Sequence, residues 1–338
     1  MTDGTTAVSD GGEAIRRLEA HLQSEIGRVV FGARELVRDL AIALVARGHV
    51  LLEGPPGVGK TLLARCLARL LGGAFQRVQC TADLMPSDLS GVHVWRANSG
   101  VFELVPGPLF ADVVLADELN RTGPKTQSAL LEAMEERHIT IDRERYALPP
   151  DFVVVATQNP HEFEGTFPLP ESQLDRFLLR LSVSYPATAA EIQVLRTYDH
   201  GDAAQADAFE QLAPLPPGLL AAARAEAGRV HVSDAVYAYV AALAAASRVH
   251  PRIAVGLSTR GALALMRCGR IEAVLAGSAY VTPDHIKRVA PAVVAHRLVQ
   301  TPEAAFDEVT ATDMAQTLLG SVPVPRDETS ATVSAQAR

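Results

Sequence analysis

The stretch that most constrains this chain is GPPGVGKT, residues 54–61. It fits G-x-x-x-x-G-K-[ST] in full. An apolar run, HVLLEG, precedes it, and a periodic run, KTLLARCLARLLG, follows and stops at Gly72 and Gly73. Strand, glycine-rich turn and helix in that order are the context the pattern requires. Glycines let backbone N–H groups wrap phosphate oxygens with no Cβ in the way, and the helix start adds a positive dipole end. The candidate phosphate cradle is Gly54, Pro55, Pro56, Gly57, Val58, Gly59, Lys60, Thr61 and Leu62. Lys60 is placed to reach the β- and γ-phosphates, and Thr61 to give an oxygen to Mg²⁺. The competing reading is a Gly/Pro turn with no ligand.

Around this motif, strand and helix patterns alternate. AFQRVQC, ADVVLADEL, DFVVVATQ and RFLLRLSVSYP read as strands, and GPKTQSALLEAMEE as a helix with Pro124 in its first turn. Two hairpin signals interrupt them, one at 91–105 around Asn98-Ser99-Gly100 and one at 138–148 with a polar tip. The expectation is an α/β fold with a mostly parallel sheet. After Pro186 the chain turns Ala-rich and helical over 188–199, 217–227, 234–249, 259–276 and 283–297. The expected domains are therefore a disordered N-terminus at 1–12, an α/β nucleotide-binding domain at 13–186, a helical domain at 187–300, and a partly disordered tail at 301–338.

Four further motifs bear on chemistry. VVLADEL (113–119) is an apolar strand ending in two carboxylates, which are costly there unless something uses them. Asp117 is the candidate Mg²⁺ ligand and Glu118 the group that polarises an attacking water. The alternative is a helix N-cap acid followed by an exposed glutamate. VVVATQNP (153–160) brings Asn159 to a strand end, where an amide can orient a water, although Asn-Pro is also an ordinary turn. Arg260, in GLSTRGALAL, is a cation at a helix start, which the dipole disfavours; an external anion or a nearby acid would account for it. ESQLDRF (171–177) sets Asp175 and Arg176 at the mouth of a strand bound for the core, either as a solvated edge or aimed at another group.

Bulk properties exclude several classes. The balance of 31 basic against 39 acidic residues, net -8, argues against a nucleic-acid backbone as the main partner. The longest apolar run, Ala235–Ala246, is too short to span a bilayer, so no membrane insertion is expected. The N-terminus has neither the basic nor the apolar segment of a signal peptide. Three scattered cysteines show no zinc or disulfide spacing, and a cytoplasmic protein is expected.

Taken in order, GPPGVGKT, LADELNRTGPKTQSALLEAMEE, ATQNP, EGTFPLPESQLDRF and GLSTRGAL closely resemble the MoxR family of AAA+ ATPases, from about Val29 to about Leu298. The resemblance implies a core sheet of order 5-1-4-3-2, a C-terminal helical lid, ATP and Mg²⁺ as cofactors, and a homo-oligomeric ring, usually a hexamer. The 91–105 hairpin would be the insert in the second core helix, and the 138–148 hairpin would precede the sensor-1 strand. Lys60, Thr61, Asp117 and Glu118 match the Walker A and B positions, Asn159 sensor 1, Arg176 the arginine finger and Arg260 sensor 2. Val30 and Phe31 lie where the family packs adenine. Thr259 departs from the proline that many members carry. Family members are thought to remodel or mature protein partners, often with a protein bearing a von Willebrand factor A domain.

Three other readings compete with a remodelling ATPase. The first is a magnesium-chelatase I-subunit-like or gas-vesicle-type ATPase. The second is a nucleotide-gated binding module with little turnover, and the third a DNA motor, against which the acidic balance counts.

Overall fold

The computed structural model describes residues 12–159, 165–199 and 203–325, without the side chains of 203–206. Expectations for residues 1–11, for Pro160 and Glu164, and for 326–338 lie outside the described residues. Contacts divide the described residues into two compact units, one within 16–222 and the other formed by residues 12–15 and 223–325.

The first unit is built on a five-stranded parallel sheet. Its strands are β1 (Val50–Glu53), β2 (Phe75–Gln79), β5 (Val113–Asp117), β8 (Val153–Gln158) and β9 (Leu179–Ser182). Two hairpins leave it, β3 (Gly91–Arg96) with β4 (Val101–Pro106), and β6 (His138–Ile141) with β7 (Glu144–Ala147). The sheet runs β2-β5-β8-β1-β9, which is the expected 5-1-4-3-2 read from the other edge. β5 and β8 are buried almost throughout, as their unbroken Val/Ala runs require of strands covered on both faces. Register puts Gln79 beside Asp117 and Glu53 beside Gln158, so the polar C-terminal ends of β1, β2, β5 and β8 converge at one edge.

Both hairpins fall where their turn signals are. Gly100 takes φ +65° in the first, while Asp142 and Arg143 take φ 48° and 74° in the second, the left-handed pair a two-residue hairpin loop needs. The hairpins are tied together by His93 of β3, whose Nδ1 lies 2.9 Å from Asp142 Oδ2 and whose Nε2 lies 3.0 Å from the Tyr146 hydroxyl.

The boundary expected at 186 is not where the contacts break. The change of composition there marks the end of the sheet, and the chain then runs back over the same unit. The Tyr198 hydroxyl donates to the Val29 carbonyl at 3.0 Å. The Leu215 N–H donates to the Leu70 carbonyl at 2.7 Å, and the Arg65 guanidinium lies 4.6 Å from the centre of the Phe209 ring.

In the second unit, helices Asp234–Val249, Thr259–Leu275, Pro283–Val294 and Ala311–Ser321 bury Val240, Leu243, Leu265, Ile286, Val293 and Leu318. A two-stranded antiparallel ribbon, β10 (Ile253–Val255) with β11 (Val299–Gln300), supplements them. The stretch expected as a tail from 301 contains helix Ala311–Ser321, opened by a capping box in which Thr310 Oγ1 accepts from the Asp313 N–H at 3.1 Å. Met314 and Ala315 on that helix are buried, so it belongs to the core of its unit. Among the described residues no helix is long and apolar enough to cross a membrane.

Candidate nucleotide site

The loop after β1 is shaped by two glycines in the left-handed region, Gly57 at φ +79° and Gly59 at φ +87°. A Cβ built on either would meet nothing within 4 Å, so the space beside the loop is open. Gly54 is constrained differently. Its Cβ would lie 2.0 Å from the Val183 carbonyl oxygen, so only glycine lets the chain leave β1 beside the residue that follows β9. Helix Lys60–Leu71 starts directly at Gly59, with its first N–H groups at the loop.

Lys60 Nζ donates to the carbonyls of Gly54 (2.5 Å) and Pro55 (2.9 Å), across the turn it closes. Burial lowers its pKa, and the nearby carboxylates of Asp117 and Glu118 oppose that shift. A cavity of about 390 Å³ opens over this loop, lined by residues 56–62 with Asp117, Glu118, Thr157, Gln158 and Asn159. Lys60, Thr61, Asp117, Glu118 and Asn159 are thus brought to one cavity from three separate strand ends. That is the carboxyl edge of a parallel sheet, where α/β folds bind ligands.

The two acids are oriented by a residue that motif reasoning passes over. Thr157 is fully buried; its hydroxyl donates to Asp117 Oδ1 at 2.7 Å and accepts the Glu118 N–H at 2.9 Å. Glu118 itself sits at φ 58°, ψ 50°, an unfavourable region for a side-chain-bearing residue and one found disproportionately at functional sites. Glu118 Oε2 accepts from Gln79 Nε2 at 3.0 Å and lies 3.3 Å from Arg121 Nε. Asp117 Oδ2 accepts from Arg77. Thr157 lies one position before the strand end, and Arg77 and Gln79 alternate with buried Val78 along β2. Those patterns were readable, but the register that aims them at the acids was not.

Other candidates lie elsewhere. Among the described residues, Val30 and Phe31 do not line this cavity. Phe31 packs on Tyr198 with ring centres 6.3 Å apart. Arg176 lines a separate open cavity of about 550 Å³ with Glu132, Glu136, Arg145 and Gln173 among its walls. Its Nε is 3.0 Å from Glu135 Oε2 on helix Pro124–Glu136, while Asp175 takes the C-cap position of the short helix Glu171–Leu174. Arg260 belongs to the second unit. It is the exposed second residue of helix Thr259–Leu275, whose N-cap Ser258 accepts from the Gly261 N–H at 3.0 Å.

Comparison with known proteins decides the family. Residues 49–179 match the model of the ATPase family associated with various cellular activities (AAA), and residues 245–318 match the AAA lid domain. Chaperone MoxR1 of Mycobacterium tuberculosis is 38% identical over 89% of this chain and 81% of its own length. The chain belongs to the MoxR family of AAA+ ATPases. An uncharacterized protein, YeaC, of Bacillus subtilis is 42% identical over 89% of this chain and 92% of its own. A solved structure titled as a putative ATPase from Cytophaga hutchinsonii superposes with TM-score 0.84 at 35% identity, covering 92% of this chain and 96% of that one. As a MoxR-family protein the chain is a nucleotide-binding ATP hydrolase. The lid match ends at Leu318, inside helix Ala311–Ser321 of the stretch expected as a tail.

Proposed function

We propose that this MoxR-family ATPase is Mg²⁺-dependent, works as a ring, usually a hexamer, and uses ATP hydrolysis to remodel or mature a protein partner. The observation that carries the reading is the position of Arg176. It is half-buried, faces an open cavity, and is not among the residues around the glycine-rich loop. A cation held on that face serves a phosphate supplied by a neighbouring subunit.

The residues at the strand ends suit MgATP. The open flanks of Gly57 and Gly59 leave room for phosphate oxygens against backbone N–H groups, and Lys60 exchanges its carbonyl partners for the β- and γ-phosphates. Thr61 and Asp117 would hold Mg²⁺, which supplies charge neutralisation at the phosphates when bound. Glu118 takes up the proton of the attacking water, and Asn159 orients that water. Arg176 of the next subunit meets the charge that develops on the γ-phosphate, and Arg260 of the lid serves as sensor 2. Val30 and Phe31 would take the adenine, as the family resemblance implies, with Phe31 backed by Tyr198.

The first hairpin supports a protein partner, and the family resemblance points to one with a von Willebrand factor A domain. Trp95 and Phe102 pack edge to face at 5.2 Å and are 54% and 69% exposed, an apolar surface that a solitary chain leaves in water.

The test is a mixing experiment. Glu118→Gln and Arg176→Ala each bind ATP and hydrolyse it poorly on their own. Mixed rings recover part of the turnover, because some interfaces then pair an intact finger with an intact base. No recovery, with subunit exchange confirmed by fluorescence, would remove the trans assignment. Wild-type turnover no faster than that of Glu118→Gln would remove the hydrolytic one.

A further inference from the structure

The carboxylate assigned above to Mg²⁺ already holds a cation. Arg77, on edge strand β2, donates to Asp117 Oδ2 from Nε at 3.1 Å and from Nη2 at 2.6 Å. The other carboxylate oxygen accepts from Thr157. A guanidinium delivering two N–H groups to one carboxylate oxygen is a charge-assisted, oriented ion pair. It is also held in place from behind, since the same Nη2 donates to Gln79 Oε1 at 3.2 Å. The partners differ in burial: the Asp117 side chain is 12% exposed and that of Arg77 50%. Such a carboxylate is costly without a cation, whereas a half-exposed arginine is easily released to water.

We infer that Arg77 is a built-in counter-cation for Asp117, which it neutralises until MgATP loads and then yields. This rests on the reading of Asp117 as a metal ligand, and it adds a residue on β2 that sets how strongly metal and nucleotide depend on one another. The argument is electrostatic. A guanidinium and a divalent ion cannot share one carboxylate oxygen without repulsion, so Arg77 competes with the metal. Without metal, Arg77 offsets the negative charge that Asp117 would present to a triphosphate, so it favours metal-free nucleotide. The competition weakens metal binding with or without nucleotide, while the second effect, which acts only when the metal is absent, lowers the coupling between metal and ATP. By linkage, removing Arg77 raises that coupling, whichever ligand is titrated.

The experiment uses the full chain, wild type against Arg77→Ala, with a non-hydrolysable ATP analogue. Mn²⁺ binding in the presence of the analogue is read by electron paramagnetic resonance. Binding of a fluorescent form of the analogue is read in EDTA and in Mg²⁺. Arg77→Ala binds Mn²⁺ about threefold to tenfold more tightly, in line with the strength of a partly exposed charged pair. It binds the analogue in EDTA more weakly by a similar factor. Arg77→Gln, which keeps a neutral donor on the strand, shifts both in the same direction and carries the test if the alanine variant does not fold. Equal or weaker Mn²⁺ binding in both variants overturns the inference. If wild type binds no Mn²⁺ with the analogue, the metal assignment of Asp117 fails instead, and the two failures are distinguishable.

Discussion

Two open cavities of the α/β unit are built from opposite materials. The one over the glycine-rich loop is made of backbone. Its walls are a turn with two left-handed glycines, a helix start, and the carboxyl ends of β5 and β8, which carry Asp117 and Asn159. The one around Arg176 is made of long polar side chains from helix Pro124–Glu136, the second hairpin and residues 172–176. Backbone cradles are rigid and local, so the phosphate-binding loop of the first site is built within one chain. The second has two arginines and two glutamates but nothing shaped to hold a phosphate. A face of that kind acquires a purpose when a neighbour presents one.

The sharpest break in the comparison comes from truncating one cation at each cavity. Lys60→Ala is expected to lose ATP binding itself, because the proposed role of the lysine is to contact the ground-state phosphates. Arg176→Ala keeps its ATP affinity within about a factor of two and loses about 10³-fold or more in kcat, the magnitude known for arginines supplied in trans. Arg176→Lys recovers only part of that, since a point charge lacks the planar fork. Titration with a fluorescent ATP analogue and a steady-state assay separate the two variants. A loss of affinity in Arg176→Ala as large as in Lys60→Ala would place Arg176 in its own chain's site.

The same contrast explains how much could be read in advance. GPPGVGKT, the acids after VVLA and the strand alternation are local patterns, and they led to a mostly parallel α/β sheet and to the residues that meet in one cavity, whereas the strand order followed from the family resemblance. Thr157, Arg77, Gln79 and Glu135 were missed, because their roles depend on partners some 40 positions away, brought close by sheet register or helix packing. The contact division differs from the expected boundary for a related reason. Composition changes where the sheet ends, whereas helix Thr188–Tyr198 still packs on the first unit through Tyr198. Helix Ala311–Ser321 was readable from its T-x-x-D cap but was overshadowed by the polar residues after it.

A buried histidine links the elements that carry the two cavities. His49 is 4% exposed; Nε2 donates to the Met134 carbonyl at 3.1 Å, and Nδ1 accepts the Val154 N–H at 2.9 Å. Met134 lies on the helix that carries Glu135, and Val154 on the strand that leads to Thr157 and Asn159. Because Nδ1 must accept, the ring has to stay neutral. Burial first, then the Arg137 charge, push its pKa down to about 3. The unfolded chain therefore takes up this proton near pH 6.5 and the folded chain does not until about 3. The contribution is complete above the unfolded pKa and declines as pH falls, by about 1.4 kcal/mol per pH unit. Urea midpoints measured between pH 7 and 5 test this. A His49→Asn variant is less stable at pH 7 and has a shallower pH dependence. A slope unchanged by the substitution would mean that the pairs to Met134 and Val154 do not hold the ring neutral.

The smallest effect is the most informative about the second cavity. Glu135 pairs with Arg176 in the isolated chain, and both side chains are about a third exposed. Ion pairs of that exposure contribute at most about 1 kcal/mol. Glu135→Gln should therefore change stability by less than that and lower kcat by no more than about fivefold, through a less fixed guanidinium. The variant should also lose part of the sensitivity of turnover to salt, because the screened pair is gone. Stability, kcat and salt response together decide what Glu135 does. A loss of turnover as deep as that of Arg176→Ala, with stability intact, would mean that the carboxylate acts at the neighbour's phosphate alongside the arginine. A loss confined to about fivefold leaves Arg176 as the group that acts there and Glu135 as the residue that aims it.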